Sequence, residues 1–276
     1  MKKRKRRRLK IKNITIFILL IIFIPTLITI SLDKINNQKV NKNQDNINIM
    51  EETKIEEYTT NLIMVGDALV HESLYKDAYK NGNNKIYDFK PYLELIKEKV
   101  SNYDIAYYNQ ETILGGTSIG LSSYPAFNSP QELGDAMIDA GFNLVSLATN
   151  HTLDRGEKGA LLSREYWNKQ ELVQAIGSYS SNEEKENIEG KILKSNNITY
   201  AMLNYTYGTN GIRVPNGKDY LVNLWDDTNN YEGYKKKVKS DINSLRDKVD
   251  VLIVAMHWGR EYTHIPTDLE IKTANF

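Results

Sequence analysis

Polar side chains that could do chemistry gather at four points of the chain, each directly after an apolar run. The clusters are Gly66-Asp67, Asn109-Gln110-Glu111, Asn150-His151 and His257-Trp258-Gly259-Arg260-Glu261. Carboxylate, amide and imidazole groups supply the oxygen and nitrogen donors that Mg²⁺, Mn²⁺ or Fe accept. We therefore interpret the four clusters as one composite site for a divalent metal, either Mn, Mg or Fe.

The first cluster leaves two interpretations open. Asp67 follows a glycine after the run Leu62–Val65, so its carboxylate could bind a metal or could cap the next helix. His71, four residues later, could reach back to the same metal or could cap that helix.

The second and third clusters each pair two polar residues, and Asn150-His151 is the strongest pair. Asn109 and Glu111 are separated by one residue, so an extended backbone turns both side chains to the same side and Gln110 away. The alternative is a solvated strand end. Asn150-His151 places an amide oxygen beside an imidazole directly after a buried run, and Asp154 could orient His151 or cap the following helix.

The fourth cluster follows the apolar run Val251–Ala255. His257 ends the strand that this run predicts and is suited to metal ligation. Glu261 could be a ligand, a base or a salt-bridge partner of Arg260.

The composition and the missing motifs exclude several classes of site. The chain has no cysteine, which excludes disulfides, zinc thiolate sites and cysteine nucleophiles. It has no glycine-rich phosphate loop and no nucleophile elbow, and Ser122-Ser123 lacks a base in register, so a serine hydrolase is disfavoured.

The elements that must position these clusters alternate from residue 61 onward. Strand patterns cover 62–65, 104–108, 143–148, 172–176 and 250–255, with an antiparallel pair 190–193 and 198–205 joined by Asn196-Asn197; helical patterns cover 71–80, 91–100, 130–140, 157–170, 231–248 and 268–276. This alternation predicts an α/β fold with a mostly parallel sheet covered by helices. Ligands bind such sheets outside the carboxyl ends of the strands, where all four clusters fall.

The N-terminal part has a different character. Residues 1–12 hold nine Lys and Arg, and residues 13–32 are nearly all apolar. About 20 apolar residues can cross a bilayer as a helix, and the basic flank stays in the cytoplasm. We predict a cytoplasmic tail (1–12), a single transmembrane anchor (13–32), a flexible stalk (33–60) and an extracellular domain (61–276), with a cleaved signal peptide as the alternative.

The net charge of +1 conceals this asymmetry, because the residues after the basic block are acidic on balance. We therefore predict contact with a membrane and no nucleic-acid partner.

The motifs resemble those of a known family. Val65-Gly-Asp67 with His71, Asn109-x-Glu111, Ala148-Thr-Asn-His151 with Asp154 and Gly156, and His257-Trp-Gly-x-Glu-Tyr262 are similar to the bacterial capsule-synthesis CapA family over residues 61–276. This family is linked to poly-γ-glutamate capsule production and resembles calcineurin-like metallophosphatases.

The resemblance implies a metallophosphatase-like arrangement of layered sheets flanked by helices. It further implies that Asp67, Glu111, Asn150 and His257 are metal ligands, and that His151 contacts the scissile group or protonates a leaving oxygen. The family continues to a Gly-His-His-Pro-His element that these 276 residues do not contain, so we expect the C-terminal part to be missing.

Three functions follow as hypotheses. The first is a membrane-anchored protein that assists poly-γ-glutamate assembly or export, with the polymer and membrane synthetase or export subunits as partners. The second is a surface metal-dependent phosphoesterase with another substrate, and the third is a binding module without turnover.

Overall fold

Two β-sheets form the centre of the computed structural model, which describes residues 34, 56–225 and 230–276. The first sheet contains β1 (Leu62–Asp67), β2 (Ile105–Asn109), β3 (Leu144–Ser146) and β4 (Gln174–Ile176), all parallel and in sequence order. The second contains β5 (Leu193–Ser195), β6 (Ile198–Thr206) and β7 (Val251–His257); β5 is antiparallel to β6, and β7 is parallel to it.

Helices connect the strands and cover the sheets. They are α1 (Glu72–Asn81), α2 (Lys90–Val100), α3 (Glu132–Asp139), α4 (Gly156–Asn168), α5 (Asn182–Ile188), α6 (Tyr231–Leu245) and α7 (Asp268–Ala274). The start of α7 is fixed by a capping box, in which Thr267 and Glu270 each satisfy a backbone N–H of the other.

The side-chain alternation of the strands builds a layered core. Strand β6 turns Met202 toward Ile105 and Leu144 of the first sheet, and turns Ala201, Leu203 and Tyr205 toward Val238 and Leu245 of α6. The first sheet likewise buries its opposite face, with Ala106, Tyr108 and Val145, against side chains of α1, α3 and α4. The order is therefore helices, sheet, sheet, helix, with period-two alternation assigning each strand residue to one layer.

One buried amide ties the two sheets together. Asn204 on β6 accepts hydrogen bonds from the backbone N–H groups of Leu147 (3.1 Å) and Ala148 (2.7 Å) and donates to the carbonyl of Ala255 (3.2 Å). Gly177 lies against the same oxygen at φ +109°, and a Cβ there would overlap Asn204 Oδ1 and approach the nitrogen of Ala148 to 2.7 Å. The close approach of the sheets at this point requires glycine.

Strand register brings the polar clusters to one edge. Asp67 pairs with Asn109 and Asn109 with Ser146 across the first sheet, while Thr206 pairs with His257 in the second. The predicted mixed α/β fold with a parallel sheet flanked by helices is therefore found.

Some predicted bounds were wrong, and one observed helix was not predicted. The predicted strand 190–193 is displaced, since β5 begins at Leu193, although the Asn196-Asn197 turn is present with φ of +45° and +68°. Helix α5 was not predicted, because a seven-residue polar segment has too few apolar positions to show a period. Helix α6 ends at Leu245, and residues 246–248 continue as a 3₁₀ turn.

The predicted tail 1–12 and anchor 13–32 lie outside the described residues, as does the predicted stalk 33–60 except for residues 34 and 56–60. Within the part of the chain that the structure describes, no helix is both long and apolar enough to cross a membrane.

Candidate metal centre

The four polar clusters converge on one cleft at the carboxyl ends of β1, β2, β3 and β7. The cleft has a volume of about 650 Å³ and is lined by Asp67, Glu111, Asn150, His257 and the loop residues 258–261 and 263–266. Parallel strands in each sheet bring their ends together, and the stacking of the sheets joins the two sets.

His257 lies between two groups of polar side chains. Its Nε2 is 2.9 Å from Asn150 Oδ1 and 3.7 Å from Glu111 Oε1. Its Nδ1 is 3.2 Å from Asn109 Nδ2 and 3.8 Å from Asp67 Oδ1. The imidazole thus separates Asn150 and Glu111 on one side from Asn109 and Asp67 on the other.

Asn109 is held by a chain of hydroxyl groups. Tyr107 and Ser146 share a hydrogen bond of 2.8 Å, and the Ser146 hydroxyl donates to Asn109 Oδ1 at 2.5 Å. Because its oxygen is occupied, Asn109 turns its amide NH₂ to Asp67 Oδ1, at 2.7 Å. Asn109 therefore orients Asp67. Asp67 does not cap helix α1, because the N-cap residue of that helix is His71.

His151 is fixed by a buried carboxylate. Asp154 Oδ2 lies 2.7 Å from His151 Nδ1 and also accepts the backbone N–H of Phe127 at 2.6 Å. The N-cap position of α4 is Arg155, so Asp154 holds the imidazole instead of capping the helix. The free Nε2 of His151 then faces Glu111 Oε1 at 3.8 Å, and the Phe127 ring packs edge-on against the imidazole.

Burial and neighbouring charge perturb the titration of the site. Burial, with the Asp67 carboxylate nearby, raises the pKa of Glu111 to about 7. Burial lowers the pKa of His257, and the negative charge of Asp67 opposes that change. At neutral pH these shifts favour a neutral imidazole and leave Glu111 close to its midpoint, both of which suit groups that exchange protons for a cation.

The donor atoms of the site suit a hard divalent cation, provided that the amide oxygen of Asn150 is one of them. On one side of the imidazole, Asn150 Oδ1 lies 2.9 Å and Glu111 Oε1 lies 3.7 Å from His257 Nε2. Adjacent donor atoms on an octahedral Mg²⁺ are about 3 Å apart. Among the described residues no three Asp, Glu or His side chains form a group that could hold a metal ion. The fit therefore depends on Asn150, with Asp67 facing the other nitrogen of His257.

Two further candidates lie at the margin. His71 is exposed, has no capping hydrogen bond, and places Nδ1 3.3 Å from Ser123 Oγ, with its ring 5.0 Å from that of Phe127. Glu261 is an exposed residue of the cleft wall, and its charge contributes to the raised pKa of Glu111. The structure brings neither residue into the set around His257 Nε2.

Sequence reasoning missed residues from the carboxyl end of β6. Tyr207 stacks on His257 at 6.4 Å between ring centroids, and Asn210 contacts both Asn150 and His151. Phe127, from the loop before α3, was also missed. The available signal was the apolar run of β6 followed by Tyr207-Gly208, which delivers side chains to the same edge as β7 once the two strands are parallel.

Comparison with protein families identifies a match over most of the chain. The model of a family described as bacterial capsule synthesis protein PGA_cap matches residues 61–276. Comparison with curated proteins finds no matching sequence.

Proposed function

The chain belongs to this family of bacterial capsule synthesis proteins, and from that premise we propose that it assists poly-γ-glutamate capsule synthesis or export through a metallophosphatase-like metal site. The family match confirms the resemblance seen in the sequence motifs. The polymer, the metal and the location at the membrane are parts of the proposal.

The observation that carries the proposal is the convergence of Glu111, Asn150 and His257 from three separate strands. Two of these residues are buried, and His257 is held between them and Asp67. Solvated strand ends, the alternative for Asn109 and Glu111, would not pack two polar side chains against one imidazole nitrogen.

In this proposal, some residues of the site bind the metal and another donates a proton. Glu111, Asn150 and His257 would hold a divalent metal, with Asp67 on the far side of the imidazole; when bound, such a metal supplies Lewis acidity and acidifies a bound water. His151, oriented by Asp154 through Nδ1, presents Nε2 toward the cleft, where it can give a proton to a leaving oxygen.

The proposed location follows from the N-terminal sequence. The basic residues 1–12 and apolar residues 13–32 would keep the N-terminus in the cytoplasm and hold residues 61–276 outside the cell. There the domain would meet the polymer and the membrane synthetase or export subunits.

Metal analysis of the full chain tests the site. We expect Mn²⁺ to be retained after reconstitution and dialysis, and His257→Ala to lose it. His264→Ala is the matched control, because His264 lies in the same loop region but is exposed. Retention of the metal by His257→Ala, or its absence from the wild type, would contradict the proposed site.

Deletion of the gene tests the capsule role. We expect surface polyglutamate to fall, and to be restored by the wild-type chain but not by His257→Ala. An unchanged amount of polymer after deletion would remove poly-γ-glutamate from the proposal.

A second candidate is a surface phosphoesterase with another substrate. The specific observation in its favour is the buried His151–Asp154 pair, an arrangement suited to proton donation. It predicts Mn²⁺-dependent release of p-nitrophenol from aryl phosphates, lost in His151→Ala.

A third candidate is a binding module without turnover. It is favoured by the absence, within the described residues, of three Asp, Glu or His side chains grouped for a metal ion. A chain that holds metal but hydrolyses no aryl phosphate would support this candidate over the second.

A further inference from the structure

Asn210 lies in a tight turn beside the candidate metal centre. Its φ is +50° and that of Gly211 is +79°. The N–H of Ile212 donates to the carbonyl of Thr209 at 2.9 Å, and the Thr209 hydroxyl donates to the carbonyl of Ile212 at 2.6 Å. Two consecutive residues of positive φ favour Asn-Gly, so the turn alone would explain these residue types.

The side chain of Asn210 does more than the turn requires. Its Oδ1 accepts a hydrogen bond from Asn150 Nδ2 at 3.2 Å, and its Nδ2 lies 3.3 Å from His151 Nδ1. The turn Asn196-Asn197 has the same left-handed backbone, yet no hydrogen bond of either side chain is found within residues 56–225 and 230–276. Asn210 is thus distinguished by two contacts to residues about sixty positions away in the chain.

These contacts decide which way Asn150 faces. An amide side chain has a donor end and an acceptor end, and its orientation follows from its partners. Because Asn210 Oδ1 takes the donor end of Asn150, the acceptor end is directed to His257 Nε2, at 2.9 Å. Reversal of the amide would place two acceptors together at Asn210 and remove the oxygen from the donor set.

We propose that Asn210 is a positioning residue, whose left-handed turn carries an amide that orients Asn150 toward His257 and packs against the Nδ1 side of His151. A residue held in a sparsely populated backbone region beside a functional site is a known way to fix geometry in advance. The proposal deepens the metal site proposed above, but its first test needs no metal.

The substitution Asn210→Gly removes the amide and keeps a residue that adopts positive φ without strain. Asn197→Gly makes the same change at the hairpin turn and is the matched control. In metal-free full chain, long-range ¹H–¹⁵N spectra report the four imidazoles, His71, His151, His257 and His264. We expect Asn210→Gly to shift the resonances of His151 and His257 and to leave those of His71 and His264 in place. Unmoved His151 and His257 resonances, or an equal shift in Asn197→Gly, would overturn the proposal.

A Mn²⁺ titration gives the second readout. Loss of a group that orients a metal ligand weakens binding by about tenfold or more. We expect that increase in Kd for Asn210→Gly and none for Asn197→Gly. Equal Kd values in Asn210→Gly and a metal-binding wild type would overturn the role of Asn210. If the wild type binds no Mn²⁺, the proposed metal site fails, and the imidazole spectra alone decide on Asn210.

Discussion

At the candidate metal centre, the burial of Glu111 disfavours the negative charge of its side chain. It is a buried carboxyl group whose pKa is raised to about 7 by burial and by Asp67. Without a cation, its ionised form is therefore less favourable in the folded chain than in the unfolded chain, where its pKa is close to 4.5. Binding of a cation would reverse that preference.

The substitution Glu111→Gln should stabilise the metal-free chain in a pH-dependent way. The folded pKa lies above the unfolded pKa, so the wild type loses stability relative to the variant as pH rises from about 4.5 to about 7. The full difference is about 3 kcal/mol. Melting curves in EDTA from pH 4 to pH 8.5 measure it, with Glu98→Gln, at an exposed glutamate of α2, as control. A constant difference across this range would contradict the raised pKa.

Asp154 should matter for stability as well as for the orientation of His151. Substitution by alanine leaves the buried N–H of Phe127 without its acceptor and releases His151 Nδ1. An unsatisfied buried donor costs about 1–3 kcal/mol. We expect Asp154→Ala to lower the free energy of unfolding by that amount in urea titration. Asp247→Ala, at an exposed aspartate, should change it little, and equal effects of the two substitutions would argue against the buried contact.

At the scale of elements, the ends of strands were the predictable part. Apolar runs followed by Asp67, Glu111, Asn150 and His257 identified four of the strands and the edge at which they meet. The signal is local, because a buried parallel strand must be apolar and its carboxyl end is free to carry polar groups.

Strand β6 shows why the remainder of the site could not be predicted. Its pattern predicts a hairpin with β5, and that pairing is present, but β6 also lies parallel to β7. The second pairing joins residues about fifty positions apart, which no local pattern specifies. Tyr207 and Asn210 follow β6 and were missed for that reason.

The contact between the sheets makes Gly177 a sensitive position. Gly177→Ala adds a Cβ that overlaps Asn204 Oδ1 and forces alanine to φ +109°. Gly217→Ala, at φ +74° with nothing within 4 Å of the added Cβ, is a control for backbone strain alone. Left-handed backbone costs roughly 1–2 kcal/mol and overpacking adds about 1–3 kcal/mol. We expect chemical denaturation to show the larger loss for Gly177→Ala; equal losses would mean that the sheets adjust freely there.

At the scale of the whole molecule, the two sheets and their helices account for residues 58–276, which form a compact unit. The N-terminal prediction rests on sequence alone. Residues 13–32 hold enough apolar surface to span a bilayer, and the positive charge of residues 1–12 would then fix the orientation of that segment.

Removal of residues 1–32 should therefore move the protein from membrane to medium. We expect the full chain to stay in the membrane fraction after alkaline carbonate washing, because an apolar helix is held by the bilayer and not by charge. The chain without residues 1–32, exported by a cleavable leader, should be soluble outside the cell. Release of the full chain with a shortened mass would instead support the cleaved signal peptide.

Because the side-chain amide of Asn204 accepts backbone hydrogen bonds near the site, amide hydrogen exchange can report on the opening of the site. Asn204 holds the N–H groups of Leu147 and Ala148, which lie two to three residues before Asn150 in the chain. The Ala148 proton should reach solvent when the sheets part, so its exchange rate would follow their separation. The N–H of Leu147 is also held by the carbonyl of Ile176, at 2.8 Å within the first sheet, and should exchange more slowly. Strand β3 would then loosen together with the segment that carries Asn150 and His151, and the candidate metal centre would be lost and regained in the same opening event.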